Sequence, residues 1–341
     1  MTRPSTNTPG ASADQSHRPG SSADVAGTGP TDEFMALQRE VADLKERLKR
    51  ARTPRPSFRA MHALDGRLVQ HTDELRPNKD VRPPRFGLAH KVRGREIAVA
   101  HGVAVPQLLA EWNSLAEVDF SDLPERFVFK SVGGAASAGV YPLTRVARNR
   151  FRLLTGTEDM STSEILTAAA SLVETGKIRA PFIAEELVPG DSPDRLPDDI
   201  KFYTFYGEIG HILLRQVDSH IPGHSVYRGK YIDEAGRDLG NVSHERNIDP
   251  AIPNPQRFDE LISAAKRLSL ATRIPFVRVD LYTTADGIYF GEFTPRPGGR
   301  QHYHLEHDIH LGKMWERAIV RLEADIASGF PFRHDIGDHR N

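Results

Sequence analysis

Cysteine is absent from the 341 residues, which excludes disulfides, thiolate metal sites and a cysteine nucleophile. An excess of either charge is also missing. The 45 basic and 46 acidic side chains leave a net charge of −1, so composition makes no electrostatic case for a nucleic-acid or membrane partner. No apolar run approaches the roughly 20 residues of a membrane span. Met1-Thr2-Arg3-Pro4-Ser5 lacks the apolar core of a signal peptide, and the expected location is cytoplasmic. Residues 1–31 hold almost no large apolar side chains and are rich in Ser, Thr, Pro, Gly and Asp. Such a segment cannot bury enough surface to offset its ordering entropy, and the expectation is a disordered tail.

From Asp32 the pattern changes. Phe34, Leu37, Val41, Leu44 and Leu48 recur at alternating spacings of three and four, with charged residues between them. This predicts a short heptad helix over 32–53. Two readings of it stand: a helix that forms a homodimer or meets a partner, and a solvated helix touching its own domain. Residues 54–85 carry Pro54, Pro56, Pro77, Pro83 and Pro84 among many arginines and read as a connector. Residues 86–328 mix helices and strands in one compact region, and 329–341 form a C-terminal tail. A helix is expected over 89–101. Strands are expected at 127–130, 181–184, 200–206 and 209–216. Ser161 with Glu164 opens a helix that stops at Gly176. Asn254-Pro255 reads as the cap and first turn of another, and a last helix spans 311–327. The fold class is α+β, built largely of antiparallel strands.

The chemistry concentrates in three segments. Near the C-terminus, Phe276–Tyr282 and Ile288–Thr294 alternate apolar and polar residues around Asp286-Gly287, a strong hairpin signal. Side chains of one parity share a face, so Asp280 and Glu292 can converge. Two carboxylates meeting on a sheet suit a hard divalent cation, which brings phosphate with it; the plain alternative is two solvated strand residues. Farther upstream, Lys130 ends a strand and is followed by Gly133, Gly134, Ser137 and Gly139. Small residues let backbone N–H groups approach a phosphate, and the lysine adds a point charge. No Gly-Lys-Ser/Thr closes this loop, so it is not a Walker A loop, and a surface hairpin is the other reading. Between these segments, Ala184-Glu185-Glu186-Leu187-Val188 runs from a strand into Pro189-Gly190, followed by Lys201 on an aromatic-rich strand.

In this order the segments resemble the ATP-grasp superfamily, and within it the TupA-like family named for teichuronopeptide biosynthesis. The likeness rests on 123–130 with its loop, Ile183–Glu186, Ile200–Tyr203, Arg278-Val279-Asp280 and Gly291–Thr294. The resemblance implies two α+β lobes enclosing a nucleotide cleft. It implies that Lys130 and Lys201 contact ATP phosphates or the adenine side. Gly133, Gly134, Ser137 and Gly139 would let the loop close over the triphosphate. Glu185, Glu186, Leu187 and Val188 would form the adenine hinge, and Asp191 or Asp194 would meet the ribose. Asp280 and Glu292 would bind Mg2+, with Thr294 at the position where related ligases carry Asn. Arg278 would steady charge on an acyl phosphate or tetrahedral intermediate, and Arg296 would support a phosphate or the acceptor. The implied activity is an ATP- and Mg2+-dependent carboxylate–amine ligase acting on small-molecule or glycan-linked substrates, in cell-surface polysaccharide or specialised-metabolite synthesis. A kinase for a sugar or polyol and a non-catalytic scaffold are the alternatives. The polar residues His220, His224, Tyr227, Arg228, Lys230 and Tyr231 are candidates to line the substrate cleft. His302, His304 and His307 could meet as a zinc site, but without cysteines or a clear helical pair the favoured reading is that they are acceptor-pocket or ordinary loop residues.

Overall fold

The computed structural model describes residues 30–52, 56–75, 88, 91–134, 138–154, 156–188, 190, 195–219, 226–244, 247–298 and 302–329. The chain divides into two units, Met1–Pro54 and Arg55–Asn341. The first contains helix α1 (Pro30–Arg52), which begins two residues before the expected start. The disordered-tail expectation for residues 1–29, and the C-terminal-tail expectation beyond residue 329, lie outside the described residues.

The second unit is built on two antiparallel sheets. The smaller in summed strand length, although it has six strands to the other's five, holds β1 (Leu108–Trp112), β2 (Arg126–Ser131), β3 (Val140–Ala147), β4 (Arg150–Leu153), β5 (Asp159–Ser161) and β6 (Phe182–Glu186), in the order β1-β6-β2-β3-β4-β5. Alternation along β2 buries Phe127 and Phe129 on one face. They join Phe120, Tyr141, Phe151 and Phe182 in a core closed by α4 (Thr162–Glu174). That helix starts where the sequence indicates. Glu164 N donates to Ser161 Oγ at 3.2 Å, and Ser161 N donates to Glu164 Oε2 at 2.7 Å. Ser161→Ala is expected to cost about 1 kcal/mol, read as a lower denaturant midpoint at unchanged m-value.

The larger sheet holds β7 (Asp199–Phe205), β8 (Glu208–Ser219), β9 (Val226–Ile232), β10 (Val277–Thr283) and β11 (Ile288–Thr294), in the order β11-β10-β7-β8-β9. One face carries Ile200, Phe202, Ile212, Val277, Val279 and Leu281 into a core covered by α5 (Phe258–Ala271) and α3 (Lys91–Ala100). The opposite face is apolar at one end, where Tyr203, Phe205 and Phe276 meet α6 (Leu305–Ala327). Its remainder carries the polar row described below.

Two expectations need correcting. The segment read as a connector contains helix α2 (Phe58–Leu75), because Pro54, Pro56 and Pro77 bracket a helix rather than interrupt a loop. Phe58 is fully buried, with its ring against those of Tyr203, Phe205, Phe276, Tyr303 and Trp315. At the start of α5, the capping position is Arg257 in the left-handed region (φ 55°), not Asn254. Asn254 Nδ2 instead donates to the Gly236 carbonyl at 2.9 Å, fixing a neighbouring turn.

Candidate active site

The hairpin β10–β11 aligns Asp280 opposite Glu292 and Arg278 opposite Thr294. On its other side, β10 aligns Asp280 with Lys201 and Arg278 with Tyr203. Partners and alternate residues share a face, so the strand register alone gathers Lys201, Arg278, Asp280, Glu292 and Thr294. The ladder slips after Asp280 and leaves Gly291 as the extra residue of β11. A Cβ there would stand 2.9 Å from Tyr282 Cε2 and 3.1 Å from the Asp280 carbonyl, so the bulge requires glycine.

Asp280 is buried, and both of its oxygens are engaged. Oδ1 accepts from Arg278 Nε at 2.6 Å, and Oδ2 accepts from Arg278 Nη2 at 2.6 Å and Lys201 Nζ at 2.7 Å. Burial alone would raise its pKa, but Arg278 and Lys201 outweigh that and hold the carboxyl below its usual range. Burial works against the Lys201 ammonium too, and Asp199 (2.6 Å) and Asp280 prevail and raise its pKa. Arg278 Nη2 also donates to Thr294 Oγ1 at 2.9 Å and Glu292 Oε1 at 3.3 Å, while Thr294 Oγ1 donates to Glu292 Oε1 at 3.2 Å. One cationic nitrogen therefore touches all three residues expected to bind metal. Their donor set is two carboxylates and a hydroxyl, oxygen only, which fits a hard cation sharing phosphate oxygens. The Glu292 side chain is 44% exposed and Asp280's only 2%, so Glu292 is the carboxylate open to a ligand.

The smaller sheet supplies a second charged set. Lys130 on β2 forms an ion pair with Glu185 on β6, and Arg95 Nη1 reaches Glu185 Oε2 at 3.1 Å. Glu185 is thus the counter-ion of two cations. Glu186 is fixed to the lead-in of β1: Gln107 N donates to its Oε2 at 3.1 Å, and Glu186 N donates to the Gln107 carbonyl at 2.8 Å. Leu187 is half-buried and Val188 is buried. In the loop after Lys130, Gly133 and Gly139 lie against Arg179 and Ile178, where a Cβ would come within 2.3 Å and 2.8 Å of side-chain carbons. Gly134 is as closely confined by the Ala138 carbonyl. These glycines have a packing reason independent of any ligand. Ser137, Asp191 and Asp194 lie outside the described residues.

Sequence reasoning missed Lys91 and Arg95. Helix α3 rests on β11 through Gly94, where a Cβ would meet the Phe290 ring at 3.3 Å. One face of it reaches toward the smaller sheet. Lys91 Nζ donates to the Ser131 carbonyl at 2.8 Å, and Arg95, one turn on, takes Glu185. Burial first, and then Lys130, push the Lys91 amine down to about 8, while Glu292 and Glu185 pull it partly back. The field of Glu292 on one sheet and of Glu185 on the other marks Lys91 as the side chain between the two charged sets. The signal in the sequence was the i, i+4 pair Lys91/Arg95 beside the small pair Gly94/Ala98.

Other candidates divide differently. His307 Nε2 lies 3.1 Å from Nδ1 of the buried His211, whereas His302 and His304 have their rings near His244. Burial lowers the pKa of His307 to about 4 and keeps His211 well below its ordinary value. Among the described residues no three His, Asp or Glu side chains converge as a metal site. Arg296 lies with its guanidinium against Gly66 of α2. Lys230 donates to the Ile252 carbonyl at 3.0 Å, Arg228 pairs with Asp249, and the Tyr227 ring lies 3.5 Å beneath the Arg215 guanidinium. Tyr231 is buried beside His211. His220 and His224 fall outside the described residues. No described helix is long and apolar enough to cross a membrane.

Comparison with known proteins identifies the family. No curated protein matches the chain. Among solved structures, the ATP-grasp ligase PsnB complexed with a minimal precursor is 15% identical at a TM-score of 0.39, covering 69% of this chain and 61% of its own. The D-alanine–D-alanine ligase of Bacillus anthracis complexed with ATP is 14% identical at 0.43, covering 71% and 70%. The macrocyclase MdnC of Microcystis aeruginosa MRC, bound with precursor peptide MdnA, is 12% identical at 0.38, covering 68% and 62%. This chain thus spans about three-fifths of the length of PsnB. A family model described as TupA-like ATPgrasp matches residues 78–316, well over half of the sequence and both charged sets. The chain belongs to the TupA-like ATP-grasp family.

Proposed function

We propose that this protein is an ATP- and Mg2+-dependent ligase that joins a carboxylate to an amine through an acyl phosphate. The observation that carries the reading is the convergence of Asp280 Oδ2, Glu292 Oε1 and Thr294 Oγ1 on one Arg278 nitrogen. Mg2+ entering at the open carboxylate Glu292, beside Asp280, would neutralise charge developing on the transferred phosphoryl group. The protein's own groups do the positioning. Lys130 and Lys91 offer point charges to the phosphates, and Glu185 holds Lys130 in place. Arg278 orients both carboxylates and lies beside the bond-forming site, where its fixed charge stabilises oxyanions. The hinge, fixed at Glu186 by Gln107, presents Leu187 and Val188 to the base. The proposed substrates are a small-molecule or glycan-linked acid and an amine, in polysaccharide or specialised-metabolite synthesis in the cytoplasm. No cysteine or serine nucleophile is needed.

An ATP-consumption screen over acids and amines, with mass spectrometry of the products, tests this. The ligase reading expects ADP and an amide only when both substrates are present. A phosphorylated single acceptor would make the protein a kinase. Failure to bind ATP or Mg2+ would favour a scaffold.

Lys91 adds a pH prediction. Its pKa of about 8 in the folded state lies below the ordinary lysine value, so its charge is lost as pH rises through 8. Nucleotide affinity is expected to fall about tenfold between pH 7 and pH 9. Lys91→Arg keeps its charge throughout and should flatten that profile. The check is nucleotide titration across pH for both proteins; parallel profiles would remove Lys91 from the phosphate site. The sign for stability is opposite. Below pH 8 the protonated buried amine costs the fold free energy, and this cost fades between about 8 and the unfolded value.

A further inference from the structure

Helix α1 stands outside the region the family explains, and the ligase reading gives it no task. Phe34, Leu37, Val41 and Leu44 lie on one stripe of it and are 41–59% exposed. An unpartnered stripe this long on a two-sided helix marks an interaction surface. Its spacing assigns Phe34, Val41 and Leu48 to heptad position a, and Leu37 and Leu44 to d. A β-branched residue at a with leucine at d favours two strands. The flanks identify the partner. Position g holds Glu33 and Glu40, and position e holds Gln38 and Lys45. In a parallel pair, Glu40 of each helix meets Lys45 of the other. In an antiparallel pair, Glu40 meets Glu40 and Lys45 meets Lys45, both repulsive. A lipid surface fits poorly, since acids and bases are interleaved on the polar side instead of basic residues alone.

We propose that α1 pairs with α1 of a second copy of this chain as a parallel two-stranded coil, tethering two catalytic units. The coil is three heptads long, and the next g/e pair, Arg47 with Arg52, is like-charged. Association is therefore concentration-dependent.

Sedimentation equilibrium of the full chain over a wide concentration range tests this. The wild type should approach twice the chain mass of 38.0 kDa. Lys45→Glu turns two attractive pairs repulsive and should weaken association about tenfold. The double exchange Glu40→Lys with Lys45→Glu should restore it, which guards against simple misfolding of the single variant. Leu37→Asp with Leu44→Asp should abolish it, and nucleotide binding should not change in any variant. A wild type that stays at 38.0 kDa overturns the proposal. So does a Lys45→Glu variant that associates as the wild type does, because antiparallel helices or a different apolar contact would be indifferent to that change.

Discussion

Lys201→Met is expected to destabilise the fold by about 3–5 kcal/mol, more than any surface change in the protein. The lysine lies on the central strand of the larger sheet, with its ammonium 2.7 Å from Asp280 and 2.6 Å from Asp199. Removing it leaves Asp280, a side chain only 2% exposed, with Arg278 as its one cationic partner. A buried carboxylate left with one cation in place of two cannot recover the lost interaction from water, so its pKa rises toward the ordinary range. The expected readings are a midpoint lowered by roughly 10 °C and stability that falls less as acid is added through the range where Asp280 titrates. In the wild type, the depressed Asp280 pKa contributes stability above the unfolded value, and it is lost as pH falls through the lower folded value. Lys201→Met with Asp280→Asn should recover part of the loss, because the pair is then removed together. A single variant as stable as wild type would mean that the ion pair carries no net weight.

Glu292→Gln should separate chemistry from folding. Glu292 is on the edge strand, half-exposed, and its Oε1 accepts from Arg278 and Thr294. The amide oxygen of glutamine can accept the same bonds, so the midpoint should stay within about 0.5 kcal/mol of wild type. What it cannot supply is the negative charge a hard cation needs. ATP turnover is therefore expected to fall about 10²–10³-fold, equivalent to about 3–4 kcal/mol of transition-state stabilisation. Excess Mg2+ should recover part of the activity if weakened metal binding is the cause. Asp280→Asn should differ, losing activity and stability together, because that carboxylate is also the buried counter-ion of Lys201 and Arg278. Turnover unchanged in both variants would show that the metal assignment is wrong.

The difference between these residues shows what the sequence could reveal. Alternation on β10 and β11 made the convergence of Asp280 with Glu292 legible from local pattern alone. The capping box of α4 was equally local. Lys201 could be read from its strand as facing a cleft or solvent but not as an ion-pair partner, because Asp280 lies 79 positions away and only sheet order brings them together. Likewise Glu185, read as part of a hinge, proved to hold Lys130, 55 positions away. β5 has three residues and β4 four, too few to establish a period. Helix α2 was hidden by its own boundary prolines. Lys91 belongs to no motif, and its place follows from a helix that lies on one sheet and reaches the other.

Calorimetric titration of ATP, with and without Mg2+, into the wild type and Glu292→Gln tests the central claim most directly. The account predicts saturable binding that Mg2+ strengthens in the wild type and barely affects in the variant. Wild-type protein that shows no heat of ATP binding at millimolar nucleotide, or the same Mg2+ effect in both proteins, would contradict it.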